Sequence, residues 1–127
     1  MNGVKISLVV NDCFVAFDLY KKVFDAKELH RTSLSKGQNR IAFMMCGGSF
    51  QLFDENRKFL LSAPAKLSPR SVWFDLLVDD VELTVQKGKD AGFLVFEPAQ
   101  FLEDFGRVFA TIGDPFGYMW MLHEIVD

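Results

Sequence analysis

The chain has 127 residues and a formal net charge of −3, with half of its residues hydrophobic and fourteen of them Phe, enough for one domain-sized core. That charge gives no basic field for nucleic acid, and no apolar run reaches the roughly 20 residues a membrane span needs. The N-terminal MNGVKISLVVND lacks the parts of a secretory leader, and Cys13 and Cys46 show no metal or redox spacing, so a soluble cytoplasmic protein with reduced thiols is expected.

Val4 to Val10 is β-branched and alternating, which predicts a strand. Asp12 is a suitable N-cap, and Cys13 to Phe24 places Phe14, Phe17, Leu19, Tyr20, Val23 and Phe24 along a helical apolar face. Lys21 and Lys22 fall in the last turn, where cations suit the helix dipole. Lys27 to Leu34, Arg40 to Met45 and Ser49 to Asp54 read as three further strands, separated by Lys36-Gly37 and Gly47-Gly48. Asn56 to Pro69 is of mixed polarity with two prolines and predicts a connector, with a helical turn around Phe59 to Ser62. The charges of this stretch, Arg57, Lys58, Lys66 and Arg70, are expected on a solvated face.

The pattern then restarts. Ser71 to Val78 predicts a strand, Asp79-Asp80 caps a helix reaching Ala91-Gly92, and Phe93 to Phe96 is a strand. Glu97 to Gly106 predicts a loop, and Arg107 to Ile112 and Tyr118 to Ile125 the last two strands. Between these two, Asp114 and Pro115 set a turn that Gly117 leaves. The order is β-α-β-β-β twice. A shift of 68 residues sets Leu8-Val9-Val10-Asn11-Asp12 on Leu76-Leu77-Val78-Asp79-Asp80, and a shift of 70 sets Gly47, Gln51 and Leu52 on Gly117, Met121 and Leu122. Both copies close on an acidic end after that Leu. Two copies are too few for a solenoid and fit a paired-module fold.

Several of these segments carry a family resemblance. They are Val10 with Asp12, the Phe17, Tyr20 and Phe24 helix, Val78 to Val81, the Gly106 to Phe109 strand and Asp114 to Gly117. In this order the chain resembles the vicinal oxygen chelate superfamily, the glyoxalase/bleomycin-resistance/dioxygenase fold. The resemblance implies an α+β fold in which two βαβββ modules form a curved mixed sheet around a cup, with helices on the outer face. Residues 1–127 then form a single domain, with module one at about 1–55, a connector at 56–70 and module two at about 71–127. Enzymes of this family hold a metal with His, Gln or Glu on the first and last strand of each module. Carried over, those places are Lys5, Gln51, Trp73 and Met121. Lys repels a cation, the indole N–H only donates, and a thioether is a weak ligand for a hard ion. No metal and no other cofactor is therefore expected.

Alternation along strands puts the neighbours of these positions on the same face of the cup. That face holds Lys5, Ser7 and Val9; Ser49, Gln51 and Phe53; Trp73, Asp75 and Leu77; and Met119, Met121 and His123. The opposite parity, with Ile6, Leu8, Val10, Phe50, Leu52, Phe74, Leu76, Val78, Trp120 and Leu122, is apolar, as a face under helices should be. Mixed polarity on the first face suits a ligand cup. Lys5 and Asp75 are expected to pair there and orient a polar ligand. Lys5, Ser7, Gln51, Phe53, Trp73, Asp75, Met119, Met121 and His123 are the candidate ligand-binding residues. His30 and Cys13 are weaker candidates, since His30 lies on a polar strand and Cys13 beside a buried helix face. The expected function is that of a metal-free small-molecule binder, a homodimer with no nucleic-acid or membrane partner. The alternative is a lyase, isomerase or dioxygenase-type enzyme of the same superfamily using non-standard site residues, such as Lys5, Asp75 or His123.

Overall fold

Each half of the chain folds its helix onto one face of a four-stranded sheet, and the same polar clasp holds the helix in place both times. In the computed structural model, residues 2–65 and 69–125 are described. The chain divides into two compact units, Met1–Pro64 and Ala65–Asp127.

In unit one, β1 (Ile6–Val10), α1 (Cys13–Phe24), β2 (Lys27–Thr32), β3 (Arg40–Met45) and β4 (Gly48–Asp54) give the strand order β1-β4-β3-β2. β1 runs parallel to β4, and the other pairs are antiparallel. Unit two repeats this with β5 (Phe74–Leu77), α2 (Val81–Asp90), β6 (Leu94–Leu102), β7 (Arg107–Gly113) and β8 (Met119–Ile125), in the order β5-β8-β7-β6. The parallel pairs share one register. Ser7 lies opposite Gln51 and Asp75 opposite Met121, so the pairs match at offsets of 68 (75 − 7) and 70 (121 − 51). The repeat read from the sequence is thus a repeat in the hydrogen-bonded ladder.

α1 starts where Asp12 Oδ1 accepts from the Phe14 and Val15 amides, at 3.1 and 3.2 Å. Its first amide, Cys13 N–H, donates instead to Asp54 Oδ1 at the end of β4, at 2.9 Å. α2 is built alike: Asp80 Oδ1 accepts from Leu83 N at 3.0 Å, and Glu124 Oε1 on β8 accepts from Val81 N at 2.8 Å. A carboxylate suits this place because the first amides of a helix have no partner within it and the dipole favours negative charge. Asp54 is 3% exposed and also accepts from the Gly37 and Asn39 amides, at 3.0 and 3.3 Å. It ties helix, sheet and the β2–β3 loop together.

Beneath α1, Phe17 meets Phe43 edge-on with ring centroids 5.5 Å apart, and Phe43 stacks on Phe50 at 5.6 Å. Leu8, Val10, Ile41, Met45 and Leu52 complete this core. In unit two, Leu76, Ile112, Trp120 and Leu122 are buried, as are Val81 and Val85 of α2. Gly88 lets α2 approach closely, because a Cβ there would lie 3.3 Å from Ile112 Cδ1 and 3.4 Å from Phe93 Cβ. Asp114 does more than make a turn. Buried, it accepts from the Phe116 and Tyr118 amides at 2.9 Å each, and its other oxygen takes the Trp120 indole N–H at 2.8 Å. Of the ten residues expected under the helices, seven are buried, and Ile6, Phe74 and Val78 are half-buried at the strand starts or end.

The expected boundaries shift at several elements. β1 begins at Ile6 rather than Val4 and β5 covers only Phe74–Leu77, so Lys5 and Trp73 lie just ahead of their strands. β2 ends at Thr32, because the Leu34 amide donates to Asn39 Oδ1 at 2.8 Å and turns the chain. β6 runs on to Leu102 through what reads as a loop. It lies at the sheet edge, where Pro98 needs no ladder partner, and register shifts at Val95/Glu97 and Glu97/Gln100 absorb the irregularity. The connector's helical turn is Arg57–Phe59, earlier than expected, since Asn56 Oδ1 caps it by accepting from Lys58 N and left-handed Leu60 ends it. Within the connector, residues 66–68 lie outside the described residues, Lys66 among them. Among the described residues no helix is long and apolar enough to cross a membrane.

Removing the Asp54 carboxylate strands three amides in or near the core. Asp54→Ala should therefore cost about 2–4 kcal/mol in urea unfolding, against about 1 kcal/mol for Glu124→Ala, which frees one part-buried amide. Equal losses in the two variants would contradict the hub role given to Asp54.

Candidate functional site

The helix covers one face of each sheet, and strand alternation fixes what the other face shows. In unit one the uncovered face carries Ser7 and Val9 on β1, Ser49, Gln51 and Phe53 on β4, and Arg40, Ala42 and Met44 on β3, all paired across the ladder. Ser7 is exposed, Val9, Ser49, Gln51 and Phe53 are half-buried, and Lys5 is exposed at the same parity just before β1. Gln51 Nε2 donates to Ser7 Oγ at 2.7 Å, which aligns the amide across the β1–β4 seam. In unit two the corresponding face carries Asp75 and Leu77 opposite Met121 and His123, with Met119 at the start of β8. The three β8 residues are half-buried, and Asp75 and Leu77 are exposed. His123 stacks on Phe109 at 5.8 Å, and Phe105 meets Phe109 edge-on at 6.1 Å. An aromatic rail thus runs from the exposed Phe105 to His123, which the sequence does not announce because His123 and Phe109 are 14 residues apart (123 − 109).

The two tryptophans occupy opposite environments. Trp120 is 0% exposed and tied to Asp114, whereas Trp73 is 48% exposed. A large flat side chain that open to water offers a stacking surface and little core energy. His30 is exposed on β2 opposite Ala42. Arg57 and Lys58 are exposed as expected; Arg70 departs from a solvated face, because it is half-buried and its Nε donates to the Gly117 carbonyl at 3.0 Å.

The donors themselves decide whether a metal fits. The four positions that the resemblance assigns to a metal carry an ammonium (Lys5), an amide (Gln51), an indole (Trp73) and a thioether (Met121). Only the amide oxygen of Gln51 is a donor a hard divalent ion accepts. Among the described residues no group of three or more His, Cys, Asp or Glu lies together in a metal-holding arrangement. This donor set does not fit the family's metal.

Cys13 directly follows an N-cap, a position that by itself acidifies a thiol. Here the opposite holds. Its pKa is pushed up to about 12, by burial first, then by its hydrogen bond to Asp54 and the negative charges of Asp54 and Asp12. Cys46, by contrast, is exposed at the β3–β4 turn. A disulfide-exchange reagent at pH 8 should accordingly consume one thiol rapidly and the second only after denaturation; two fast thiols would contradict the burial of Cys13. Because the folded pKa lies above the ordinary 9.0, the folded state holds the thiol proton longer. Unfolding in the window from about 9 to 12 releases it, so the stabilising contribution is whole below 9 and is lost as pH rises through that window. Cys13→Ala should flatten this part of the stability–pH curve.

Comparison with known proteins agrees with the geometry. Residues 4–122 match the model of the Glyoxalase/Bleomycin resistance protein/Dioxygenase superfamily. An uncharacterized protein of Mycobacterium bovis is 31% identical over 125 residues, covering 94% of this chain and 80% of its own length. Among solved structures, the genomically encoded fosfomycin resistance protein FosX of Listeria monocytogenes superposes with a TM-score of 0.72 at 14% identity, covering 98% of this chain and 93% of its own. TioX of Micromonospora sp. ML1 superposes with a TM-score of 0.70 at 17% identity, covering 99% and 100%. At such identities these two structures speak for the fold.

Proposed function

Because the chain belongs to the Glyoxalase/Bleomycin resistance protein/Dioxygenase superfamily, we propose that it is a small-molecule-binding protein that works without a metal. It holds a small, partly apolar or aromatic ligand against the uncovered face of a sheet. One observation carries this reading: the family's donor positions hold Lys5, Gln51, Trp73 and Met121, side chains that contact organic molecules well and hard metal ions poorly. On unit one Phe53 supplies apolar wall and Ser7 and Gln51 polar anchors; on unit two Met119 and Met121 supply adaptable apolar wall and Asp75 and His123 polar anchors, so each face by itself has the mixed composition of a ligand site.

Catalysis through Lys5, Asp75 or His123 is the competing reading. Lys5 and Asp75 are exposed to solvent, whereas a catalytic acid or base works in a site that excludes water. Binding is therefore favoured over turnover. The proposal extends to a homodimer in the cytoplasm, with exposed sheet-edge residues such as Leu29 on β2 as material for self-pairing.

Trp73 tests the binding reading, because Trp120 is sealed and serves as an internal reference for folding. Titration with flat aromatic compounds should change the emission of the native protein. In Trp73→Ala that change should vanish while the Trp120 signal persists, and affinity read by calorimetry should weaken about three- to tenfold, the loss of one stacking contact. An unchanged affinity in the variant would remove Trp73 from the site.

A further inference from the structure

The uncovered face of unit one continues past the end of its strands into a groove of about 540 Å³. Its walls are Leu34, Phe53, Phe59 and Leu61, with Thr32 and Arg40 at its polar side. Leu34 and Phe59 are each 69% exposed, so the groove presents apolar surface to solvent. Its shape is fixed beforehand. Asn39 Oδ1 accepts from Leu34 N at 2.8 Å, Asn56 Nδ2 donates to the Gly37 carbonyl at 2.8 Å, and Asp54 Oδ2 takes the Gly37 and Asn39 amides. A preformed groove spares a ligand the cost of ordering its walls.

Charge decides what such a groove takes. Arg40 lies opposite Phe53 across the β3–β4 ladder, at the junction of the sheet face and the groove. Among the described residues its hydrogen bond is one long contact, from Nε to Thr32 Oγ1 at 3.5 Å, and no carboxylate of theirs pairs with it. Its neighbours in the same sheet are used differently. Lys27 pairs with Asp25 at 3.2 Å, and Arg31 pairs with Glu28 at 3.0 Å and lies over the Phe14 ring. The one acid on the groove wall, Asp54, has its two oxygens committed to three backbone amides. The groove therefore combines apolar walls with a guanidinium whose terminal nitrogens have no acceptor among the described residues.

We propose that this groove selects amphiphilic monoanions: a flat apolar body along Leu34, Phe53, Phe59 and Leu61, with one carboxylate or sulfonate against Arg40. A guanidinium fork binds a planar or trigonal oxyanion through two parallel hydrogen bonds. A single cation matches a single negative charge. The proposal rests on the binding reading above and gives the ligand class for the unit-one part of it.

Two dyes with one anilinonaphthalene body separate the possibilities: anilinonaphthalene sulfonate, which is anionic, and phenylnaphthylamine, which is neutral. The native protein should bind the sulfonate more tightly. Arg40→Gln should weaken the sulfonate about tenfold, the scale of one lost charge-assisted contact, and leave the neutral dye unchanged. Arg40→Lys should retain part of the preference, and Lys22→Gln on the far end of α1, with the same change in net charge, should leave both dyes unaffected. A sulfonate affinity untouched by Arg40→Gln, lowered as much by Lys22→Gln, or lowered together with that of the neutral dye would overturn the anion site while leaving the binding reading in place. If neither dye binds the native protein, both readings fail. Arg40 is exposed, so Arg40→Gln should melt within a few degrees of the native protein, and a larger drop would be answered by Arg40→Lys.

Discussion

In each unit a carboxylate at the end of the central strand accepts the first amide hydrogen of the helix that packs over that strand. Asp54 does this for Cys13 and Glu124 for Val81, at 2.9 and 2.8 Å. The contact joins residues 41 and 43 positions apart in sequence, and it sets where the helix begins relative to the sheet. Once that start is fixed, the apolar stripe of the helix can meet only one face of the strands. Leu8, Val10, Phe50 and Leu52 go under α1, and Leu76, Trp120 and Leu122 under α2. A one-residue slip in β4 would exchange these with Gln51 and Phe53 and bury the wrong set. The clasp, the register and the choice of open face are thus one constraint.

That constraint also explains why the open faces are free to vary. Stability comes from the covered side, where the Phe17–Phe43–Phe50 cluster and the Asp114–Trp120 bond lie. In each unit the open face holds polar side chains, such as Ser7 and Gln51 in unit one and Asp75 in unit two, that lie outside the buried core. A fold of this kind can lose one chemistry and keep its architecture, which is why membership in the family does not settle activity. The raised thiol affinity of Cys13 is a by-product of the same clasp, since burial and the nearby Asp54 both hold its proton.

Much of this was legible in the sequence. The two-residue period of the strands separates the covered from the open parity because the covered set is nearly all large and apolar, and the two offsets of 68 and 70 reappear in the strand registers. The shared acidic ends were visible as a pattern, but their function as helix caps was not, because Asp54 and Glu124 read as ordinary strand ends until the helix is laid over them. The later part of β6, from Glu97 to Leu102, escaped because Pro98 and its bulges break the alternation that marks a strand. Arg40 escaped for another reason. One Arg at the start of a strand looks like any solvated charge, and only the braced loop from Leu34 to Asn39 gives it an apolar neighbourhood. Asp114 is legible as a turn residue, whereas its bond to the Trp120 indole, six positions on, exists only in the tertiary structure.

The most direct test of the central claim is the metal content of the untagged protein, measured by elemental mass spectrometry and followed by calorimetric titration with Mn²⁺, Fe²⁺, Ni²⁺ and Zn²⁺. The open faces described above predict a content far below stoichiometric and no saturable heat with any of the four ions. A stoichiometric metal in the purified protein, or saturable binding of one ion that Gln51→Ala abolishes, would contradict a metal-free site and return the chain to the metal chemistry of its family.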